Sequence, residues 1–180
     1  MNLILERFNL GGFNFINSWA NRNDVLDWLM IFTADKLGYL MILGVLFLTW
    51  KNYDKIKVLV LTIGSAILAR VVFVELIRYF FYNPRPYLVL EKVNILMNHE
   101  TSSSFPSGHA TFFFALAFGV YLTNRRWGRV YLVLAALVGL ARIFVSIHWP
   151  LDILAGAGLG IATTVLFGWV SDYIKQKNVP

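Results

Sequence analysis

Residues 106–152 read PSGHATFFFALAFGVYLTNRRWGRVYLVLAALVGLARIFVSIHWPLD and contain two apolar runs, 109–123 and 129–147. A helix that crosses a membrane needs roughly 17–25 predominantly apolar residues. The second run meets this length, and the first meets it when its Ser-Gly-His start lies at the membrane interface. A short basic segment, NRRWG, separates the two runs. The stretch therefore predicts two membrane-spanning helices joined by a short basic loop.

The composition of the whole chain also indicates a membrane protein. Its 180 residues are 58% hydrophobic and 14% charged, with a mean hydropathy of +0.62. Soluble domains are roughly 45–50% apolar and about 25% charged. The net charge of +6 does not indicate nucleic acid as a partner, because no basic stripe is interleaved with exposed aromatic residues. The chain has no cysteine, which excludes disulfides and thiolate metal sites.

Further apolar runs continue the pattern on both sides of this stretch. Those at about 56–81 and 151–173 are long enough to span a membrane, and a shorter one covers about 36–50. We therefore predict an all-α integral membrane protein, a bundle of five to six transmembrane helices within a single domain over residues 1–180.

The N-terminal part of the chain has a more mixed composition. Residues 13–31 combine large apolar side chains with asparagine, arginine and aspartate. Such a mixture favours an amphipathic helix that lies in the interface or is partly inserted, although a sixth span is the alternative. Asp24 is the predicted cap of a helix here.

Lysine and arginine are concentrated in loops that fall on one side if five helices alternate across the membrane. The positive-inside rule places these loops in the cytoplasm. The opposite side carries the connection at 82–106, which is long enough to act as a lid. We expect the plasma membrane as the location, with the polar clusters described next facing the extracytoplasmic side. The basic residues are Lys51, Lys55, Lys57, Arg125, Arg126, Arg129, Lys175 and Lys177.

Three polar clusters lie where long apolar runs begin or end. Arginine side chains and the N–H groups of a helix N-terminus bind phosphate. A histidine backed by a carboxylate can attack phosphorus, and a second histidine can protonate the leaving oxygen. Together the clusters predict a phosphoryl-transfer site at a membrane surface. They are Arg78-x6-Arg85-Pro86, Pro106-Ser107-Gly108-His109 and Arg142-x5-His148-x3-Asp152.

The local sequence around the clusters predicts how some of these side chains are placed. Ser107 is a natural N-cap, and Gly108 allows close approach to the backbone. Pro150 suits the first turn of a helix. Asp152 then lies in that first turn and can reach back to one imidazole nitrogen of His148, which leaves the other free to attack.

The polar residues also allow two other interpretations. An arginine near a helix end, such as Arg78, can merely extend its charge to the interface. A zinc site could be built from His99, His109, His148 and Asp152. However, the chain has no His-Glu-x-x-His pair, and three arginines in the same site would repel a cation.

Two features lie within the apolar runs themselves. Arg70 and Glu75 are expected to pair inside the bundle or to extend to the interface, because charge within a span is costly. Gly156-x-Gly158-x-Gly160 follows no strand and lies in an apolar helix. We therefore interpret it as a surface for close helix packing rather than as a nucleotide loop.

Taken together, the three spacings resemble the type 2 phosphatidic acid phosphatase superfamily, which includes polyprenyl-pyrophosphate phosphatases and vanadium haloperoxidases. The family pattern is Lys-x6-Arg-Pro, then Pro-Ser-Gly-His, then Ser-Arg-x5-His-x3-Asp. In this chain Arg78 stands where the family has lysine, and Ala141 stands where it has serine. The match covers residues 78–152.

The resemblance implies a role for each matching residue. His148 would be the nucleophile that forms a phosphohistidine, Asp152 its orienting partner and His109 the general acid. No metal and no cofactor is implied. The residues expected to bind phosphate are Arg78, Arg85, Ser107, Gly108 and Arg142.

The function implied by the resemblance is hydrolysis of a polyprenyl (undecaprenyl) pyrophosphate to the monophosphate and phosphate. Phosphatidylglycerophosphate and phosphatidic acid are the alternative substrates. A lipid carrier or transport protein could use the same arginines, but the polar residues lie at one face rather than near the bilayer midplane. Haloperoxidases are usually larger and soluble, which argues against that activity.

Overall fold

The computed structural model describes residues 3–50, 55–97 and 102–177, and within these ranges its regular elements are helices, with no β-strand. The predicted all-α class is confirmed. Lys51 and His99, which enter two of the sequence predictions, lie outside the described residues. The helices are α1 (Leu3–Asn17), α2 (Asp24–Asp35), α3 (Leu37–Trp50), α4 (Lys55–Leu59), α5 (Ser65–Ile67), α6 (Val74–Phe80), α7 (Pro86–Val89), α8 (Gly108–Thr123), α9 (Arg125–Phe144) and α10 (Pro150–Lys177).

One continuous helical segment, which we call the α4–α6 rod, covers residues 55–80 and corresponds to the predicted run 56–81. Two parts of the rod, Val60–Gly64 and Leu68–Phe73, are π-helical. A π turn changes which side chains share a face of the helix, and such turns are frequent at functional sites. Apolar periodicity alone gave no sign of them.

The central helix of the bundle is α8. Its side chains Ala115, Leu116 and Ala117 are fully buried, and α9 and α10 pack along most of its length. The rod closes a further side of α8, where Gly119 allows close contact. A Cβ atom at Gly119 would lie 2.8 Å from the Cα of Thr62. Small residues on α8 therefore let three neighbours approach the helix that carries the second polar cluster.

Glycines on α10 determine how closely it approaches α8. A Cβ atom at Gly160 would lie 2.3 Å from the carbonyl oxygen of Thr111, and one at Gly156 would lie 2.7 Å from that of Ser107. At Gly158 no atom lies within 4 Å of the corresponding position. The predicted packing surface is therefore confirmed for two of the three glycines and is wrong for Gly158, which faces away from α8.

This difference predicts unequal effects of two otherwise matched substitutions. Gly160→Val should destabilise the detergent-solubilised protein, because the new side chain must displace the α8 backbone; overpacking of this kind costs about 1–3 kcal/mol. Gly158→Val, in the same helix, should leave the thermal unfolding midpoint near that of the unmodified protein. Equal midpoints for the two variants would contradict the α8–α10 interface described above.

The N-terminal region differs from the predicted single helix over residues 13–31. It is divided between α1, which ends at Asn17, and α2, which begins after Asn23. The Asn17 side chain donates from Nδ2 to the carbonyl of Phe144 at 2.8 Å, which ties the end of α1 to the end of α9. Asn23, not Asp24, is the N-cap of α2. The contact of Asn17 with Phe144 joins residues 127 positions apart, so the local sequence does not show it.

The described residues contain three helices that are long and apolar enough to cross a membrane: Val60–Phe80, Arg125–Phe144 and Pro150–Val170. The pair α2 and α3 would provide a fourth span, bent by 51° at its break. Helix α8 is apolar but shorter, with 16 residues. The protein is therefore a helical membrane protein with three to four candidate spans by length and composition.

Candidate active site

The three polar clusters converge on one cavity at the end of the bundle where the α4–α6 rod and α9 end and α8 and α10 begin. The cavity has a volume of about 120 Å³. Four of its lining residues are arginines and two are histidines, and one aspartate and one glycine complete the lining. The lining residues are Asp35, Arg70, Arg78, Arg85, Gly108, His109, Arg142 and His148.

His148 lies in the turn before α10 and contacts Asp152 in the first turn of that helix. The distance from His148 Nδ1 to Asp152 Oδ2 is 3.3 Å, and the same oxygen accepts from the backbone N–H of Trp149 at 2.8 Å. Both side chains are buried. Because a carboxylate faces Nδ1, the proton is held on that nitrogen and Nε2 keeps its lone pair. This is the tautomer that a nucleophilic imidazole requires.

The surroundings of His148 also control its charge. Burial of the ring, followed by the nearby Arg142 guanidinium, lowers the pKa of His148 well below its usual range. The imidazole is therefore neutral at pH 7, and the neutral form is the one that can attack an electrophile.

The lowered pKa predicts how His148 responds to acid. An unperturbed imidazole takes up a proton as the pH falls through about 6.5, whereas His148 in the folded protein should stay neutral there. Unfolding then takes up a proton below that pH, so acidification should also destabilise the fold. NMR of protein carrying isotope-labelled histidine, assigned with the His148→Ala variant, measures this directly. A His148 ring that becomes charged at that pH or above would contradict the prediction.

Backbone carbonyl groups from several parts of the chain position the three arginines of the clusters. Arg85, which is buried, donates to the carbonyls of Ser102 and Ile147 at 3.2 and 3.0 Å. Arg78 donates to the carbonyl of Pro106 at 3.1 Å, and Arg142 donates to that of Ala34 at the same distance. These bonds fix the guanidinium groups around the cavity before any ligand binds, as preorganised anion recognition requires.

The N-terminus of α8 forms one wall of the cavity. The hydroxyl of Ser107 caps the helix by accepting from the N–H of Ala110 at 3.4 Å. The backbone N–H of Ser107 donates to the carbonyl of Asp152 at 3.0 Å. Ser107 and Asp152 do not line the cavity but support residues that do. A Cβ atom at Gly108 would lie 2.3 Å from Arg70 Nε, so the glycine makes room for an arginine.

Sequence reasoning did not assign Arg70 or Asp35 to the site, yet both line the cavity. Arg70 forms an ion pair with Glu75, but both side chains are partly exposed, so the pair does not lie buried inside the bundle. The Oε1 atom of Glu75 also lies 3.7 Å from Arg78 Nη1. No sequence signal links Arg70 to the site, because its approach to Gly108 depends on how the rod packs against α8.

Part of the 82–106 connection supports the site directly. Asn83 and Ser104 join through their main chains, with the Ser104 N–H donating to the Asn83 carbonyl at 2.8 Å. The Asn83 side chain lies 3.5 Å from Asp152 Oδ1. Ser103 and Ser104 are buried. The two ends of this connection are therefore joined next to Asp152 and support the site, a role that the serine-rich sequence alone did not indicate.

The zinc alternative finds no further support in the donor set. Among the residues that the structure describes, no group of three or more His, Cys, Asp or Glu side chains is close enough to hold a metal ion. His99, one of the four residues considered for zinc, lies outside the described ranges.

Comparison with known proteins adds independent information. Undecaprenyl-diphosphatase BcrC of Bacillus subtilis (strain 168) is 30% identical over 165 residues, covering 91% of this chain and 84% of the relative. Bacitracin transport permease protein BcrC of Bacillus licheniformis is 31% identical over 166 residues, with coverages of 92% and 82%. Among solved structures, the crystal structure of Aquifex aeolicus LpxE aligns with a TM-score of 0.74 and 32% identity, covering 88% of this chain and 93% of that one.

The family match covers the segment that contains the three clusters. The protein-family model described as PAP2 superfamily matches residues 59–176 of the sequence. The match covers more than half of the chain and extends from the α4–α6 rod into α10. The resemblance inferred from the cluster spacings is thereby confirmed, and this protein belongs to the PAP2 superfamily.

Proposed function

We propose that this protein is a membrane phosphatase that hydrolyses undecaprenyl diphosphate to undecaprenyl phosphate and orthophosphate. The observation that carries the proposal is the convergence of four arginines, two histidines and a helix N-terminus on one cavity of an apolar helical bundle. A lipid can leave its tail in the bilayer while its charged head enters such a cavity. The name of the Bacillus subtilis relative supports the choice of lipid.

In the first chemical step, Nε2 of His148 attacks the terminal phosphorus of the diphosphate. A P–N bond forms while the bond to the bridging oxygen breaks, and its electron pair leaves with undecaprenyl phosphate. The negative charge of the bound diphosphate favours the protonated form of His109, which donates this proton to the leaving oxygen. Asp152 accepts the Nδ1–H and stabilises the ring as it becomes positive.

In the second step, a water molecule attacks the phosphorus of the phosphohistidine. His109, which lost its proton in the first step, now accepts one from the water. The P–N bond breaks, its electron pair returns to Nε2, and orthophosphate leaves. Throughout both steps Arg78, Arg85 and Arg142 stabilise the charge on the phosphoryl oxygens, the role that a metal ion would otherwise take. Ser107 and Gly108 contribute through the helix N-terminus that they begin.

The proposal is tested by phosphate release from purified protein in detergent, with undecaprenyl diphosphate, phosphatidylglycerophosphate and phosphatidic acid as substrates. We expect the highest kcat/KM with undecaprenyl diphosphate, unchanged activity in excess chelator, and inhibition by vanadate. A preference for another lipid would replace the substrate. Binding without release from any of them would indicate a carrier. Loss in chelator, restored by zinc or magnesium, would indicate a metal mechanism.

We also propose that the bundle crosses the plasma membrane five or six times, with the cavity on the extracytoplasmic side. Helix α8 and the bent α2–α3 pair would add two spans to the three long ones, and α1 would be the sixth. Helix α8 leads from His109 in the cavity to the basic segment that begins at Arg125, at its opposite end. Loops rich in lysine and arginine favour the cytoplasmic side, so the opposite end of α8, with the cavity, would be extracytoplasmic.

This orientation predicts the labelling of single cysteines, since the chain has none of its own. Glu91→Cys, in the connection next to the cavity, should react with a membrane-impermeant maleimide added to intact cells. Arg126→Cys, exposed at the other end of the bundle, should react only after the cells are opened. Both native side chains are exposed, so accessibility does not bias the comparison. The reverse pattern would place the site in the cytoplasm.

A further inference from the structure

Arg70 is the one cavity-lining arginine that lies outside the three sequence clusters. It belongs to the π-helical segment Leu68–Phe73 of the α4–α6 rod. Its side chain lies against Gly108, where a Cβ atom would come within 2.3 Å of Arg70 Nε. Because Gly108, the first residue of α8, has no side chain, the guanidinium of Arg70 can reach the helix N-terminus.

In the membrane orientation proposed above, Arg70 lies nearer the bilayer interior than Arg78, because Val60–Phe80 is a candidate span. Arg70 precedes Arg78 by eight residues in the rod, which is about two helical turns. Because the rod ends at Phe80 beside the cavity, the earlier residue is closer to the interior of the bilayer. A lipid whose head enters the cavity would pass Arg70 between its tail and the group held by Arg78.

The carboxylate of Glu75 occupies a position between these two arginines in which an anion can bind. Its carboxylate is ion-paired with Arg70, and its Oε1 atom lies 3.7 Å from Arg78 Nη1. The Glu75 side chain is 52% exposed, and ion pairs with exposed partners are weak. Replacing this carboxylate with a more highly charged oxyanion therefore requires little free energy.

The charge of the cavity exceeds what one phosphate group needs. A phosphate monoester carries about −1.5 to −2 at pH 7, whereas four guanidinium groups and one carboxylate, that of Asp35, line the cavity. The three arginines of the clusters already surround the position next to His148. The fourth arginine, Arg70, lies towards the lipid tail, where its charge can balance that of a second phosphate group.

We propose that Arg70 binds the second, leaving phosphate of a lipid diphosphate in place of the Glu75 carboxylate, and so makes the site select diphosphates over monophosphates. The inference rests on the proposed function and adds a specificity residue to it. Binding there would also stabilise the negative charge that develops on the leaving phosphate as the bridging bond breaks.

The test compares Arg70→Gln with the unmodified protein on a polyprenyl diphosphate and on the monophosphate of the same chain. We expect kcat/KM for the diphosphate to fall roughly 10- to 100-fold, the range for losing a hydrogen bond to a charged group. The value for the monophosphate should change by less than about threefold. Arg129→Gln removes the same charge at the far end of the bundle and should affect neither substrate.

Three results would overturn the inference: an equal loss on both substrates, a larger loss on the monophosphate, or no loss on the diphosphate. If Arg70→Gln does not fold, Arg70→Lys keeps the charge without the planar fork and should show the same selective loss to a smaller degree. Absence of hydrolysis by the unmodified protein would instead reject the proposed function, so the two failures are distinguishable.

Discussion

Replacing His148 with alanine should lower phosphate release by about four orders of magnitude or more, as removal of a nucleophile does in other covalent enzymes. The reason is that Nε2 of this ring is the atom that forms the bond to phosphorus. Neither the arginines nor His109 can supply an equivalent lone pair in the same position. The measurement is orthophosphate release from the lipid substrate in detergent.

The control for this variant is its folding, because His148 is buried and its loss leaves a small cavity. His148→Gln, which fills more of the space, should be as inactive as His148→Ala while unfolding near the temperature of the unmodified protein. Turnover within tenfold of the unmodified rate by either well-folded variant would remove His148 from the nucleophilic role.

Asp152→Asn should lower kcat by about three to four orders of magnitude, the loss found when a carboxylate that orients a catalytic histidine becomes an amide. In the native protein one oxygen, Asp152 Oδ2, accepts from the Trp149 N–H and also faces His148 Nδ1, so the amide can place either its oxygen or its NH₂ group there. The amide oxygen lacks the negative charge that stabilises the ring as it becomes positive. The NH₂ group can instead donate to Nδ1, which moves the ring proton to Nε2 and blocks attack. Steady-state kinetics with saturating lipid diphosphate measures this loss.

Asp24→Asn is the matched control for that substitution. Asp24 is an exposed first residue of α2, so the same loss of one negative charge should leave turnover unchanged. A decrease of less than tenfold in Asp152→Asn, with normal folding, would show that the carboxylate does not determine the tautomer of His148.

Those parts of the site that depend on local sequence could be predicted from the sequence. The contact between His148 and Asp152 follows from a proline that begins a helix and a four-residue spacing, and the cap at Ser107 follows from residue type. The apolar runs gave α8, α9 and α10 for the same reason, because helix length and hydropathy are properties of a short segment.

Features that depend on long-range packing could not be predicted. Arg70 reaches the cavity because the π-helical part of the rod lies against Gly108, and nothing near Arg70 in the sequence specifies that neighbour. The end of α1 is held against α9 by Asn17, which donates to the carbonyl of Phe144, 127 residues away. Gly158 faces away from α8 although its spacing is the same as that of its neighbours.

The most direct test of the central claim is to trap the covalent intermediate. The protein is mixed with a lipid diphosphate that carries a radiolabelled terminal phosphate, quenched in alkali within one turnover, and digested. We expect label that is stable in base and labile in acid, as for a P–N bond, on the peptide containing His148, and none in His148→Ala. Continued turnover with no labelled protein, or label on a different residue, would contradict a phosphohistidine mechanism at this site.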